Sequence, residues 1–126
     1  MKLHPAQKQI VANQQRFKVL RAGRRFGKTI LAVEMMIWYA ANIKDARIVY
    51  IAPTFQAARD IAFDVLRRRI VNIKAPINET RLEIDLPNIH KGTSRIMLRS
   101  WDSVETLRGQ FFDFIVLDEV AHTRNF

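Results

Sequence analysis

The stretch FDFIVLDE, residues 112–119, is an apolar run that ends in two neighbouring acids. A short apolar run of this kind predicts a buried strand, with Asp118 and Glu119 at its carboxyl end. In that position the first acid can hold Mg²⁺ and the second can orient a water molecule. Two acids can also cap a following helix, because the first turn of a helix favours negative charge. The pair therefore indicates a nucleotide site only together with a phosphate-binding motif.

A candidate for that motif is AGRRFGKT, residues 22–29, whose Lys28 lies 90 residues before Asp118. The segment follows the phosphate-loop pattern G-x-x-x-x-G-K-[ST], except that Ala22 stands at the first glycine position and Gly23 comes one residue later. Alanine still allows the backbone to approach a phosphate closely, although it adopts positive φ less readily than glycine. A basic turn between a strand and a helix is the simpler alternative.

The residues around this segment supply the context that a phosphate loop needs. A strand is predicted from Phe17 to Leu20 and a helix from Lys28 to Asn42. The loop would then lead into a helix N-terminus, where backbone N–H groups bind phosphate. This order of elements favours the phosphate loop over a basic turn.

The two motifs together predict a site for a nucleotide and Mg²⁺. We expect Lys28 to bind the β and γ phosphates and the Thr29 hydroxyl to reach the metal ion. Asp118 would hold the metal ion either directly or through one of its ligands. Glu119 would be the general base that accepts a proton from the attacking water. The expected nucleotide-binding residues are Ala22, Gly23, Arg24, Arg25, Phe26, Gly27, Lys28 and Thr29.

Composition limits the classes of protein to which the chain can belong. Its 126 residues are enough for one domain with a hydrophobic core. It contains no cysteine, which excludes disulfides and thiolate metal sites, and its three histidines lack ligand spacing, so Mg²⁺ is the metal expected. The longest apolar stretch, from Ile30 to Ile43, contains Glu34 and is too short to span a bilayer, so no membrane partner is expected.

A net charge of +9, from 21 basic and 12 acidic residues, predicts a polyanionic partner, above all nucleic acid. The arginines of the phosphate loop are explained by the nucleotide. The run Arg67-Arg68-Arg69, on a predicted helix, has two interpretations: a DNA contact or a solvated helix face. The sequence leaves both open.

Helical and strand patterns alternate along the chain, which predicts an α/β fold with a mainly parallel sheet and helices on both faces. The helix from Lys28 to Asn42 is apolar almost all round and is expected to be buried on all sides. The other expected elements before residue 80 are a helix over Leu3–Asn13, a strand over Arg47–Ala52 and a helix capped by Thr54. The inner side of that last helix is expected to hold Ala58, Ile61, Ala62, Val65, Leu66 and Ile70.

A β-hairpin is predicted after residue 80. Residues 81–86 alternate strictly, with Leu82, Ile84 and Leu86 on one face, and Arg95 to Ser100 follow as a partner strand. We expect this half-exposed antiparallel hairpin to decorate the parallel sheet.

Four stretches of the sequence resemble one known family. They are LHPAQ at residues 3–7, AGRRFGKT at 22–29, YIAPT at 50–54, and ETLRGQ at 105–110 before the carboxylate strand. They extend over nearly the whole chain, which is similar to the N-terminal ATPase region of the large terminase subunit of tailed bacteriophages, a DNA-packaging motor. The Leu-Arg-Gly step and the arginines of the phosphate loop are the more specific features.

The resemblance implies a P-loop NTPase fold of the additional-strand, conserved-glutamate type, with ATP and Mg²⁺ as cofactors. It implies that Gln7 reads the adenine, since an amide both donates and accepts hydrogen bonds, although Gln7 could also be a surface helix residue. Arg24, with Arg25 as the alternative, is the arginine expected to assist phosphoryl transfer. The implied partners are double-stranded DNA, a small terminase subunit, a portal or procapsid and further copies of the chain, in the cytoplasm of a host cell.

The resemblance also implies segments that these 126 residues do not contain. They are further sheet strands, a motif that couples hydrolysis to movement, and a C-terminal nuclease domain. We therefore expect residues 1–126 to be the N-terminal part of a P-loop ATPase domain, with the nuclease domain absent and the sheet incomplete at the C-terminus. A missing neighbour of the Asp118 strand would expose an unpaired edge and favour self-association.

Two other functions stay open. A DNA helicase or translocase of superfamily 2 shares the glutamine, phosphate-loop, Pro-Thr and Asp-Glu elements. A basic nucleic-acid-binding module whose nucleotide site no longer turns over is the non-enzymatic alternative.

Overall fold

The structure of the chain is a computed structural model that describes residues 18–22, 26–107 and 109–118. For residues 18–22 and 26–28 it describes the backbone alone. The predicted helix over Leu3–Asn13 lies outside the described residues. So do the candidate site residues Gln7, Gly23, Arg24, Arg25 and Glu119.

The described strands form one open, mixed sheet in the order β1-β6-β2-β5-β4-β3. The strands are β1 (Lys18–Ala22), β2 (Arg47–Ala52), β3 (Ile77–Asn78), β4 (Glu83–Pro87), β5 (Thr93–Ser100) and β6 (Phe114–Asp118). The first four strands in the sheet order pair in parallel, and β4 and β3 are added antiparallel. The predicted α/β fold with a mainly parallel sheet is therefore confirmed.

Helical segments of different types pack on the two faces of the described sheet. One face packs against the α-helix α1 (Phe26–Asn42) and a second helical segment at residues 55–69, and the other packs against a 3₁₀-helix (Trp101–Leu107). Alternate residues of each central strand are buried on opposite faces, and each buried aliphatic or aromatic side chain contributes roughly 1.5–3 kcal/mol. No helix in the described part of the chain is long and apolar enough to cross a membrane.

Helix α1 is buried on one side only, which differs from the expectation that it is buried on all sides. Ala32, Met36 and Ala40 are completely buried against the sheet and the neighbouring helical segment. Leu31 and Trp38 are 55% and 60% exposed. The cause is geometrical, since a helix lying on a sheet contacts it along one stripe and needs a further layer to cover the opposite stripe.

The second helical segment changes type along its length. It consists of α2 (Phe55–Ala57), a π-helix (Ala58–Phe63) and α3 (Asp64–Arg69). As predicted, Thr54 caps it, because its hydroxyl accepts a hydrogen bond from the Ala57 N–H at 3.0 Å.

The π-helix explains why one residue predicted on the inner side lies outside. Ile61 is 45% exposed, whereas Phe63 is buried. A π-helical turn contains more residues than an α-helical turn, so the apolar face shifts relative to a period of 3.6 residues. The other predicted inner residues, Ala58, Ala62, Val65, Leu66 and Ile70, are buried.

The predicted hairpin is formed by β4 and β5, with Leu82, Ile84 and Leu86 buried on one face. It is not a decoration, however, because β5 also pairs in parallel with β2 from Arg47 to Ala52. The hairpin therefore continues the main sheet.

The Asp118 strand is a central strand. β6 pairs in parallel with β1 on one side and with β2 on the other, so no neighbour of this strand is missing. The outer strands of the sheet, among the described residues, are β1 and β3. Within the part of the chain that the structure describes, the unpaired edges are therefore at β1 and β3 rather than at β6. The self-association that such an edge favours stays a prediction.

An ion-pair cluster lies on the hairpin face that the sequence predicts to be solvent-exposed. The Glu83 side chain is only 11% exposed and accepts a hydrogen bond from Arg99, whose side chain is 15% exposed. Arg81 and Arg95 lie 3.6 and 3.8 Å from the same carboxylate. Three guanidinium groups thus surround one nearly buried acid, which compensates its desolvation.

We expect Glu83→Gln to lower the free energy of unfolding by about 2–3 kcal/mol, because it removes the negative charge that neutralises the nearly buried Arg99. Glu79→Gln is the matched control, since Glu79 pairs with Arg67 at 2.8 Å but both side chains are exposed. The Glu79→Gln control should lower the free energy of unfolding by about 0.5 kcal/mol or less. Urea unfolding of both variants checks this, and equal losses would contradict the structural role of Glu83.

Candidate functional site

The carboxyl ends of the four parallel strands meet at one edge of the sheet. Ala22 at the end of β1 is in register with Asp118 at the end of β6, and Ala52 of β2 is in register with Ser100 of β5. Open α/β sheets bind ligands outside this edge. The start of the candidate phosphate loop and the first acid of the Asp-Glu pair therefore lie on directly neighbouring strands.

Helix α1 begins at this edge with the residues of the second half of the loop. The helix begins at Phe26, so Gly27, Lys28 and Thr29 lie in its first turn. The N–H groups of a first turn have no partner within the helix and favour an anion. Thr29 is buried, with 6% of its surface exposed.

The predicted metal ligand Asp118 is hydrogen-bonded to the hydroxyl of Tyr50. The Tyr50 O–H donates to Oδ2 of Asp118 at 2.9 Å. The polar side chain of Thr29 lies near enough to the same phenol to lower its pKa slightly. Tyr50 thus holds one predicted metal ligand, and the other lies near it.

Strand alternation explains why the side chains of Tyr50 and Asp118 meet. Tyr50 is in register with Val116 on the neighbouring strand, and Asp118 is two residues further along. Side chains two residues apart lie on the same face, so Tyr50 and Asp118 share the face that packs against α1. Thr29 approaches that face from the helix above it.

The environment keeps the Tyr50 phenol protonated. Burial raises the pKa of Tyr50 far above its ordinary value, and the negative charge of Asp118 and the hydrogen bond to it raise the pKa further. The polar side chain of Thr29 lowers the pKa of Tyr50 but has the smallest of these effects. At neutral pH the phenol is therefore a hydrogen-bond donor to Asp118.

The opposite face of the sheet also holds Asp118. The indole N–H of Trp101 donates to the backbone carbonyl of Asp118 at 3.2 Å. Trp101 begins the 3₁₀-helix and packs against the second hydrophobic cluster. Tyr50 thus fixes the side chain of Asp118 and Trp101 fixes its backbone.

The oxygen donors at this edge fit a hard divalent cation. A hydroxyl and a carboxylate are ligands that Mg²⁺ prefers, and Mg²⁺ is usually bound through one or two carboxylates plus substrate phosphates. Asp118 is hydrogen-bonded to Tyr50, and Thr29 lies near the same phenol, so both predicted ligands are found around one residue. Across residues 18–22, 26–107 and 109–118, no group of three or more His, Asp or Glu is arranged to hold a metal ion.

The arginine run of α3 is neutralised by acids of the same fold. The ion pairs are Arg67–Glu79 at 2.8 Å, Arg68–Asp64 at 3.1 Å and Arg69–Glu34 at 3.0 Å. All six side chains are at least 45% exposed. Of the two interpretations of this run, the structure favours the solvated helix face.

The comparison with known protein families decides to which family the chain belongs. The family described as "Terminase large subunit, T4likevirus-type, N-terminal" matches residues 19–126. The chain belongs to this terminase family. The resemblance inferred from the sequence is thereby confirmed, in preference to a superfamily 2 helicase.

A solved structure has the same fold as this terminase chain. It is the "Thermus Phage P74-26 Large Terminase ATPase domain", which is 20% identical in sequence and superposes with a TM-score of 0.57. The match covers 94% of this chain and 53% of that one, so the terminase chain spans about half the length of the solved structure. A search of curated proteins finds no match.

Tyr50 is the residue of this site that sequence reasoning missed. The signal for it is a phenol within an otherwise aliphatic strand, because a buried hydroxyl needs a hydrogen-bond partner. That partner depends on which strand lies beside β2, and the sequence pattern does not specify this.

The raised pKa of Tyr50 predicts a loss of stability at alkaline pH. The folded chain keeps a proton that the unfolded chain releases, so the free energy of unfolding should fall as pH rises above about 10. Tyr50→Phe removes the titrating group and should reduce this loss. Urea unfolding of the two proteins at pH values between about 8 and 11 measures the difference. Parallel stability curves over that range would contradict the prediction.

Proposed function

We propose that this terminase chain forms the nucleotide-binding part of an ATPase domain, which binds Mg²⁺–ATP and hydrolyses it to drive DNA into a procapsid. The observation that carries the proposal is the Asp118 carboxylate, which Tyr50 holds at the end of β6, in register with the end of β1 at Ala22. Membership of the terminase family supports the same activity.

Binding of the nucleotide is assigned to the loop and to the N-terminal segment. The backbone N–H groups of residues 24–29 would point at the phosphates, and Lys28 would neutralise the β and γ phosphates. Gln7 contacts the adenine through its amide. Thr29 and Asp118 hold Mg²⁺, which when bound neutralises charge on the phosphates.

Chemistry is assigned to the residue after Asp118 and to an arginine of the loop. Glu119 orients the attacking water and accepts its proton. Arg24, with Arg25 as the alternative, adds positive charge where negative charge develops on the transferred phosphoryl group.

Binding of the cation can be tested through the two tryptophans. Trp101 donates to the Asp118 backbone, whereas Trp38 lies nine residues after Thr29, about 14 Å further along the helix axis. We expect Mn²⁺ with a non-hydrolysable ATP analogue to broaden the indole N–H signal of Trp101 far more than that of Trp38. Selective ¹⁵N-tryptophan NMR measures this, because paramagnetic broadening falls steeply with distance.

Two variants make the NMR test specific. Asp118→Asn should remove the selective broadening because an amide is a poor ligand for a hard cation. Glu119→Gln should keep it, since that side chain acts in chemistry rather than in binding. Equal broadening of both indoles in the wild type, or its persistence in Asp118→Asn, would reject the assigned metal site.

Turnover separates the roles of the two acids. Glu119→Gln should lower the single-turnover rate of phosphate release by about 10²-fold or more with little loss of Mg²⁺–ATP affinity, because an amide accepts no proton. Asp118→Asn should weaken Mg²⁺-dependent binding instead. A matching loss of affinity in both variants would show that the roles are wrongly divided.

The basic residues that contact DNA are proposed to lie in the N-terminal segment. Residues 1–28 contain eight Lys and Arg and no acid, whereas residues 29–126 contain thirteen basic and twelve acidic residues. Nearly all of the net charge of +9 therefore comes from the first 28 residues. Unbalanced positive charge is what attracts a phosphate backbone.

Replacing three basic residues in each region tests this location. The triple variant Lys2→Gln, Lys8→Gln and Arg16→Gln should weaken double-stranded DNA binding and lower the slope of log K against log salt by up to about 3. The matched triple variant of Arg67, Arg68 and Arg69 to Gln should change both much less. Fluorescence anisotropy over a range of salt concentrations measures both quantities, and the opposite ranking would place the DNA contact on α3.

The remaining partners belong to the proposal for the whole terminase. They are a small terminase subunit, the portal or procapsid and other copies of the chain, in the host cytoplasm. Family membership supports them.

A further inference from the structure

The Tyr50 hydroxyl performs a task that packing does not require. The Tyr50 ring is 1% exposed and belongs to the main hydrophobic cluster, where phenylalanine would fill the same space. The rest of the strand from Ile48 to Ala52 is aliphatic. A buried hydroxyl costs free energy unless it is hydrogen-bonded, and here its partner is the Asp118 carboxylate.

The direction of the hydrogen bond leaves the Asp118 carboxylate able to bind a cation. Asp118 accepts the Tyr50 proton with Oδ2, and a carboxylate has about four acceptor sites, so this bond does not prevent it from binding a cation. The phenol thus orients the carboxylate without blocking it.

We propose that Tyr50 is a positioning residue of the cation–nucleotide site, whose hydroxyl holds the Asp118 carboxylate in place for Mg²⁺. This inference rests on the proposed nucleotide binding and adds a residue to it. Tyr50 acts through Asp118, as the hydrogen-bonding partners of metal ligands do in other sites. Losing such a partner lowers metal affinity by about 10- to 100-fold.

A purely structural role of the Tyr50 hydroxyl predicts a different result. If the hydroxyl only satisfied its own burial, Tyr50→Phe would change the melting temperature and leave the dependence of nucleotide binding on Mg²⁺ as it is. The ratio of nucleotide affinities with and without Mg²⁺ therefore distinguishes the two roles, because a general loosening of the fold lowers both affinities together.

The experiment compares two phenol removals in the 126-residue chain. The chain contains two tyrosines, and Tyr39 stacks with its ring on Phe114 at 4.7 Å on the same face of the sheet. Binding of a fluorescent ADP analogue is measured with Mg²⁺ and with EDTA for the wild type, Tyr50→Phe and Tyr39→Phe. For Tyr50→Phe we expect the affinity ratio to fall about 10-fold, with the EDTA affinity unchanged within about 2-fold. Tyr39→Phe should keep the wild-type ratio.

A second variant tests whether Tyr50 acts through Asp118. In the Asp118→Asn background, Tyr50→Phe should lower the affinity ratio no further, because the oriented carboxylate is already lost. Thermal melting is recorded for all variants. An equal fall of the Mg²⁺ and EDTA affinities in Tyr50→Phe, with a lower melting temperature, would overturn the inference in favour of a structural role.

The failure of this inference is distinguishable from that of the proposed function. If the wild type shows no Mg²⁺-dependent increase in affinity, the proposed function fails and the positioning role fails with it. If the wild type shows the increase and Tyr50→Phe shows it undiminished, only the positioning role of Tyr50 is rejected.

Discussion

The parallel pairing of β6 between β1 and β2 is the constraint on which the rest of the structure depends. Residues 114–118 are in register with all of β1 on one side, and residues 114–117 pair with β2 on the other. From Phe114 to Leu117 the side chains are at most 1% exposed. The backbone groups of such a strand are satisfied only by its neighbours. The register that buries the strand therefore also fixes where its last residue, Asp118, lies.

The same row of side chains along β6 contributes to both the hydrophobic core and the candidate site. Phe114 and Val116 point into the cluster beneath α1, and Asp118 is the next position of the same row. The row ends at the sheet edge, so its last member reaches the ligand side while the two before it are packed. Tyr39 of α1 stacks on Phe114, which holds the helix above this row. The position of Asp118 at the sheet edge is thus fixed by the packing of the core, without additional structure at the site.

How much the sequence could predict depended on whether a feature is local. The bounds of β2 and the pairing of β4 with β5 follow from apolar alternation and turn residues, and both are observed. Features set by another part of the chain were missed. The outward position of Ile61 comes from a π-helix, and the exposure of Trp38 comes from what packs beside α1. The pairing of β5 with β2 is also a tertiary choice, which alternation within one strand does not encode.

In the candidate site, too, local features could be predicted from the sequence and tertiary ones could not. Its two motifs could be found because each is a contiguous pattern, whereas Tyr50 is recognisable only once β2 is known to lie beside β6. The residues of the candidate site come from elements that are anchored separately. Helix α1, which carries Thr29, is held by the completely buried Met36 and Ala40. Asp118 is held by the pairing of β6, by Trp101 and by the Tyr50 hydroxyl of β2. In the described residues β1 is paired on one side only, by β6. The positions of Thr29 and Asp118 therefore do not depend on β1 alone.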